Sequence, residues 1–167
     1  HGDYAYGGGR PSRALGFGAI QLNHDAAGFT LAQAAEQGYL STEPPEFTLP
    51  GDTTTQDALG YLHVNCGGCH NSSADGLPQV NMNLWWDIEA TTLEVTGAYQ
   101  TAIGQPSQIF NDQHVGGRIV AGDVESSAVY YRMSQRGNNA QMPPVGSEVV
   151  DTQGLAIIRS WIEGLEP

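Results

Sequence analysis

The amino-acid sequence predicts a mainly α-helical protein in which short helices are separated by long loops. Glycine supplies 22 of the 167 residues and only 14% of the residues are charged, a balance that long-helix bundles do not show. Several apolar stretches have helical spacing and are bounded by residues that can cap a helix. With 40% hydrophobic residues the chain can bury a core.

Residues 1–52 are predicted to form a partly irregular N-terminal extension or arm. Residues 1–16 are rich in Gly and Arg and have no periodicity. A helix is expected over Thr30–Gln37, because Thr30 can cap it and a glycine follows it. Prolines between residues 41 and 50 then favour an extended linker.

Residues 53–167 are predicted to form the main domain. Helices are expected over about 53–66 and 125–135, and a last helix is expected from Asp151, a good N-cap residue. The stretch 92–103 has no clean period. The order is therefore helix, long loops, helix, loop and final helix.

The charge balance is strongly acidic. The chain has 18 Asp and Glu against 6 basic residues, for a net charge of −12, and all the basic residues are arginine. Nucleic acid and anionic lipid are therefore poor partners. The acidity suits both a soluble exported protein and a specific basic partner, and no apolar run is long enough to span a membrane.

The sequence Cys66-Gly67-Gly68-Cys69-His70 is the attachment pattern for a c-type haem. The two thiols add to the two vinyl groups on one edge of the porphyrin, and the histidine that follows binds the iron. Glycines at the two intervening positions leave the backbone free to make the turn. The pattern predicts one covalently bound haem c with its iron.

The two cysteines also allow three alternative roles. A Cys66–Cys69 disulfide would close a small strained loop and needs no histidine. A thioredoxin-like dithiol is expected beside a βαβ pattern, which the sequence lacks. A structural zinc site needs four ligands, and there is no second cysteine pair.

Methionine is the expected sixth ligand of the iron. Met142 is the favoured candidate because it lies 72 residues after His70 in a loop followed by two prolines that hold it out of a helix. Met133 is expected in the core, and Met82 is expected to pack against the haem edge. A histidine ligand is the alternative, although His63, His114, His24 and His1 are each expected at the surface.

The sequence resembles proteins of the class I cytochrome c fold, and most closely the exported cytochrome c-like domains of environmental bacteria. The resemblance rests on Tyr61–Asn71, on Gly122-Asp123 with Ser127, and on Met142-Pro143-Pro144 before a final helix. It covers about residues 53–167. It implies a monohaem protein of mainly α structure.

The resemblance also implies roles for individual residues. Cys66 and Cys69 would form the thioethers, His70 would be the proximal ligand and Met142 the distal one. The carbonyl of Pro78 would accept a hydrogen bond from the proximal imidazole, which raises the basicity of that ligand.

Further roles follow from the same resemblance. Arg118 would pair with a haem propionate, although a solvated surface arginine is an equal alternative. Trp85 and Trp86 would line the haem pocket, unless they only pack in the core. The first and last helices would cross through a small residue and an aromatic one, for which Gly60 and Trp161 are the candidates.

The predicted function is electron transfer, because His and Met together leave no open position on iron. The alternatives are a haem peroxidase or gas-binding protein with a labile sixth ligand, and a redox subunit that self-assembles through residues 1–52. Redox proteins are the expected partners, without the lysine rim of mitochondrial-type cytochromes. Covalent haem attachment implies export, to the periplasm or outside the cell.

Overall fold

The structure, a computed structural model, describes residues 18–25, 27–72, 80–144 and 147–166. This part of the chain is mainly helical, as the sequence predicts, with six α-helices and one 3₁₀ turn. Its β pairing consists of isolated bridges, one of which joins Ile103 to Ile119.

The helices are short, and the two longest lie at the two ends of the predicted main domain. In chain order they are α1 (Ala19–Leu22), α2 (Leu31–Glu36), α3 (Thr53–Asn65), the 3₁₀ turn (Leu93–Val95), α4 (Gly97–Thr101), α5 (Ala128–Ser134) and α6 (Thr152–Gly164). The described part of the chain contains no helix long and apolar enough to cross a membrane.

Both long helices begin at an aspartate. The Asp52 carboxylate accepts a hydrogen bond from the Thr55 N–H at 2.9 Å, and the Asp151 carboxylate accepts one from the Gly154 N–H at 2.9 Å. Each bond satisfies one of the N–H groups that a helix start leaves without a partner. The predicted helices at 53–66 and after Asp151 are confirmed, as is the Thr30 cap of α2.

Helix α5 begins three residues later than predicted, and the reason is a side-chain turn. The Asp123 carboxylate accepts a hydrogen bond from the Ser126 N–H, and the buried Ser127 hydroxyl donates to the Asp123 carbonyl at 2.7 Å. Such bonds compete with helical ones and hold the chain in a turn up to Ser127. Helix α4 and the 3₁₀ turn were not predicted because each is too short to show a period.

Helices α3 and α6 cross through a glycine and a tyrosine. A Cβ atom placed on Gly154 would lie 2.2–2.3 Å from the outer atoms of the Tyr61 side chain, so any larger residue there would displace that side chain. The Tyr61 hydroxyl donates to the Asp151 carboxylate at 3.1 Å, which ties the start of α6 to α3. The crossing therefore has its small residue on α6 and its aromatic residue on α3.

The predicted crossing pair, Gly60 on α3 and Trp161 on α6, is wrong, because Tyr61 and Gly154 make the contact with the two helices' roles exchanged. A Cβ atom on Gly60 would contact Ile20 and Leu49, so this face of α3 is covered by the N-terminal residues and not by α6. Trp161 is 2% exposed and belongs to the main apolar core with Leu59, Leu62 and Ile158.

The described part of the N-terminal extension packs on the helical unit. Helix α1 contacts α3, and the Gln56 side chain donates to the Leu49 carbonyl at 2.9 Å. The rings of Phe47 and Trp86 lie 5.7 Å apart. Residues 18–50 therefore help to cover the side of α3 that faces away from α6.

Candidate functional site

An apolar cleft opens where α3 ends and α5 begins. Its empty volume, including the open solvent space at its mouth, is about 770 Å³. Cys66, His70, Arg118 and Met142 all line it, so four of the predicted site residues meet in one cavity. Most of the other lining residues are apolar: Val80, Met82, Leu84, Ile109, Phe110, Ala128, Val129 and Met133.

The five-residue motif forms a tight turn directly after α3. The N–H groups of Cys69 and His70 both donate to the Cys66 carbonyl, at 3.0 and 2.8 Å. The His70 carbonyl accepts from the Leu84 N–H at 2.8 Å. The Asn71 side-chain amide donates to the Gly67 carbonyl at 2.8 Å. These bonds fix the backbone on both sides of His70.

The two glycines of the motif differ in their surroundings. Neither has a positive φ, so backbone freedom is not the reason for either of them. A Cβ on Gly67 would lie 2.6 Å from the His63 carbonyl oxygen and 3.1 Å from the Trp85 Cα, whereas a Cβ on Gly68 would meet nothing within 4 Å. Gly67 is needed for close approach of two backbones, and Gly68 is not.

The two cysteines are free thiols with different exposure. Cys66 lines the cleft, and burial, together with the neighbouring Cys69, raises the pKa of its thiol to about 12. Cys69 is exposed and is not among the described residues that line the cleft. The turn thus directs one thiol into the cavity and leaves the other at its outside.

His70 is held as a neutral imidazole. Burial lowers its pKa to about 4, with smaller contributions from the positive charges of Arg132 and Arg118. Its Nδ1 is buried and has no hydrogen-bond partner among the described residues. A neutral imidazole is the form that binds a metal. Pro78, the expected partner of Nδ1, lies outside the described residues.

Met142 reaches the cleft from the loop between α5 and α6. Its N–H donates to the Arg132 carbonyl at 3.0 Å, which ties the loop to α5. Met133 is 7% exposed and belongs to the core, as predicted, although it also lines the cleft. Met82 is half-buried and lines the cleft as well.

Two arginines line the cleft without a carboxylate partner in the described part of the chain. Arg118 is only 7% exposed and donates to the carbonyls of Asn81 and Thr101, so the surface alternative is wrong. Arg132 donates to the Ala140 carbonyl at 2.9 Å, and its guanidinium lies 4.7 Å from the centre of the Phe110 ring. The cleft is therefore apolar with two positive charges in its wall.

Trp85 and Trp86 pack around His63 and do not belong to the described lining of the cleft. The His63 and Trp85 rings lie 4.2 Å apart, and the backbone N–H of Trp86 donates to His63 Nδ1 at 3.0 Å. Trp86 itself is 5% exposed. His63, expected at the surface, is half-buried and anchors the tryptophan segment to α3.

The remaining histidines that the structure describes lie at the surface, as predicted. His24 is exposed, and the exposed His114 has its Nδ1 2.6 Å from the Asp112 carboxylate. His1 lies outside the described residues.

One face of α5 contributes lining residues that were not predicted from the sequence. Ala128, Val129, Arg132 and Met133 recur at spacings of one, three and one residues, which is the pattern of a single helix face. This spacing was visible in the sequence. Nothing in the sequence indicated that the face turns toward His70, because that depends on how α5 packs.

Comparisons with protein-family models, with curated proteins and with solved structures give no match for this chain. Groups of three or more His, Cys, Asp or Glu side chains able to hold a metal ion are absent from the described residues.

Proposed function

We propose that this protein is a monohaem c-type cytochrome that transfers electrons through an iron bound by His70 and Met142. One observation carries the proposal. Cys66, His70 and Met142 line the same apolar cleft, although Met142 is 72 residues from His70 in the chain. A thiol, an imidazole and a thioether in one cavity are the donor set of this cofactor.

The cavity fits a haem in three further respects. Its mostly apolar lining suits an apolar ring system. His70 is neutral, with a buried Nδ1 that has a proton to donate once Nε2 binds a metal. Arg118 and Arg132 offer positive charge to the carboxylates of such a ligand.

The order of elements supports a cytochrome c fold for residues 53–167. Helix α3 leads directly into the motif, long loops and α5 follow, the Met142 loop comes next, and α6 closes back on α3. The Gly154–Tyr61 contact supplies the close crossing of first and last helix that the resemblance implies.

The residues of the cleft would divide the work as follows. A haem c would supply one-electron chemistry between ferrous and ferric iron. Cys66 and Cys69 would hold it covalently, and His70 and Met142 would bind its iron. The thioether of Met142 favours the ferrous state, and the apolar lining excludes water. Arg118 and Arg132 would bind the propionates.

Electron transfer is preferred to enzymatic chemistry because the cleft offers two axial ligands. A peroxidase or gas-binding protein needs an open or labile sixth position. Redox proteins with a basic surface are the proposed partners, and the periplasm or the cell exterior is the proposed location. Assembly into a larger redox complex through residues 1–52 is a compatible second role.

The visible spectrum of the purified protein tests the proposal. We expect one covalent haem c per chain, low-spin in both oxidation states, and a far-red band in the ferric protein that reports the Fe–S bond. Met142→Ala should remove that band and lower the reduction potential, whereas Met82→Ala should keep the band. A protein without covalent haem, or a high-spin ferric haem in the unaltered chain, would overturn the proposal.

A further inference from the structure

Arg136 lies at the end of α5, where the loop that carries Met142 begins and ends. We infer that Arg136 is a positioning residue that holds the Met142 side chain in the cleft, and that without it the thioether moves into a second cavity behind the loop. The inference rests on the proposed function, and it goes beyond it by naming what keeps the sixth ligand on the iron.

The guanidinium of Arg136 joins three parts of the chain. It donates to the carbonyls of Met133 and Gln135 at 2.8 and 2.6 Å, which closes the C-terminal end of α5. It also donates to the Met142 carbonyl at 3.4 Å and, through Nε, to the Val149 carbonyl at 3.3 Å. One side chain therefore connects the helix end, the predicted iron ligand and the far side of the loop.

The other described contacts of the Met142 loop either join its first half to α5 or connect residues within the loop. The Met142 N–H donates to the Arg132 carbonyl at 3.0 Å, and Arg132 donates to Ala140. The Gln141 side chain donates to the Ser147 carbonyl at 2.9 Å. Among the described residues, these bonds shape the first part of the loop, and the bond from Arg136 to the Val149 carbonyl joins its last part to the end of α5.

A second cavity gives the displaced side chain a place to go. It has an empty volume of about 620 Å³, solvent space included, and it shares Cys66, Met133 and Met142 with the cleft. Its other lining includes the polar side chains of Tyr61 and Asn65. Met142 thus lies in the wall between the two cavities, and Arg136 lines the second one.

Arginine suits this task better than lysine. A guanidinium presents several N–H donors in a rigid plane, so it can bind carbonyls on both sides of the loop at once, whereas an ammonium is a single flexible point. The charge of Arg136 has a separate effect, because a positive group near the iron alters the reduction potential of the iron regardless of the hydrogen bonds that the group makes. Arg136→Lys separates the two effects because it keeps the charge and loses the planar fork.

The experiment measures how easily Met142 leaves the iron. In the ferric protein, added imidazole competes with Met142, and loss of the far-red band gives the concentration for half displacement. Imidazole can bind only when Met142 has left the iron. Its apparent affinity therefore rises when the state with Met142 displaced is more populated. We expect half displacement at about tenfold less imidazole in Arg136→Gln, in keeping with lost hydrogen bonds from a charged donor, and at severalfold less in Arg136→Lys.

Arg159→Gln is the matched control. Arg159 carries the same charge on α6 but pairs with Glu125 and Glu163, away from the Met142 loop. We expect its imidazole curve to coincide with that of the unaltered protein. An equal shift in Arg159→Gln and Arg136→Gln would assign the effect to charge and overturn the inference.

Oxidation by dilute peroxide gives a second measurement, which needs no iron signal. Peptide mass spectrometry follows sulfoxide formation at Met142, with the buried Met133 as an internal reference. We expect Met142 to oxidise faster, relative to Met133, in both Arg136 variants. Unchanged imidazole curves and oxidation ratios in both variants would refute the role of Arg136. If the proposed function itself were wrong, the result would be different: Met142→Ala would leave the spectrum unchanged, or no haem would be attached.

Discussion

Gly67 and Gly68 are neighbours in the motif, but only Gly67 lies where a side chain would contact other parts of the backbone. Gly67 brings the turn within contact of the α3 backbone at His63 and of the segment at Trp85. Gly68 faces open space. A rigid turn matters here because it sets the direction of both Cys66 and His70.

Alanine at these two positions gives a matched pair of variants. Gly67→Ala would place a methyl group 2.6 Å from a backbone oxygen that cannot rotate away, so the turn must separate from α3. We expect a lower haem content and a free energy of unfolding reduced by about 1–3 kcal/mol. Haem absorbance per chain and denaturant unfolding provide the measurements.

Gly68→Ala is the control for that prediction. Its methyl group meets nothing, so haem content should be normal and the free energy of unfolding should change by no more than about 0.5 kcal/mol. Equal behaviour of the two variants would contradict the close-approach role of Gly67.

Individual site residues were predictable from the sequence only where chemistry fixes the spacing. The pattern of Cys66, Cys69 and His70 and the position of Met142 before two prolines led to their proposal as site residues, and Cys66, His70 and Met142 do line one cleft. The burial of Arg118 and the role of His63 beside Trp85 and Trp86 did not follow. Both depend on segments that are distant in the chain, and no local pattern encodes such contacts.

At the scale of elements, the crossing of α3 and α6 connects the motif to the C-terminal helix. Tyr61 fills the space above Gly154 and bonds the residue that caps α6. The two long helices were predictable, since each has an aspartate cap and apolar residues at helical spacing. Their contact residues were not, because either helix could have supplied the glycine.

A methyl group at the crossing should destabilise the protein. Gly154→Ala would force the Tyr61 ring away and break its hydrogen bond to Asp151, so we expect the free energy of unfolding to fall by about 1–3 kcal/mol. Gly164→Ala, on the same helix with nothing within 4 Å of the new methyl, should be neutral or stabilising by up to about 1 kcal/mol.

Chemical denaturation of both variants measures the difference. Repeating Gly154→Ala in a Tyr61→Leu background should reduce its cost, because the ring that causes the clash is gone. If that cost stayed the same in both backgrounds, the clash would lie elsewhere.

The whole molecule carries a net charge of −12. The four arginines that the structure describes do little to offset this at the surface. Arg118 and Arg132 face the cleft, Arg136 binds carbonyls of the Met142 loop, and Arg159 pairs with two glutamates. In the described part of the chain, each arginine therefore faces the cleft, binds backbone carbonyls or pairs with glutamates.

This distribution predicts opposite salt effects with reagents of opposite charge. Reduction of a cationic cobalt(III) complex by the ferrous protein should slow as salt rises, and reduction of ferricyanide should speed up. Salt screens attraction in the first case and repulsion in the second, over a length of about 10 Å at 0.1 M. Stopped-flow rates at low and high salt measure both, and rates independent of salt would contradict the prediction.

The engagement of the described arginines with the cleft, with carbonyls and with glutamates also affects the lifetime of a complex with a partner protein. An ion pair that fixes one docking pose needs an exposed cation as well as an exposed anion, and the described surface presents no guanidinium free for that purpose. A basic partner is drawn in by a field of one sign and can settle in many orientations. For the proposed electron carrier we therefore expect brief, loosely oriented encounters, which would let it release one partner soon after electron transfer and meet the next.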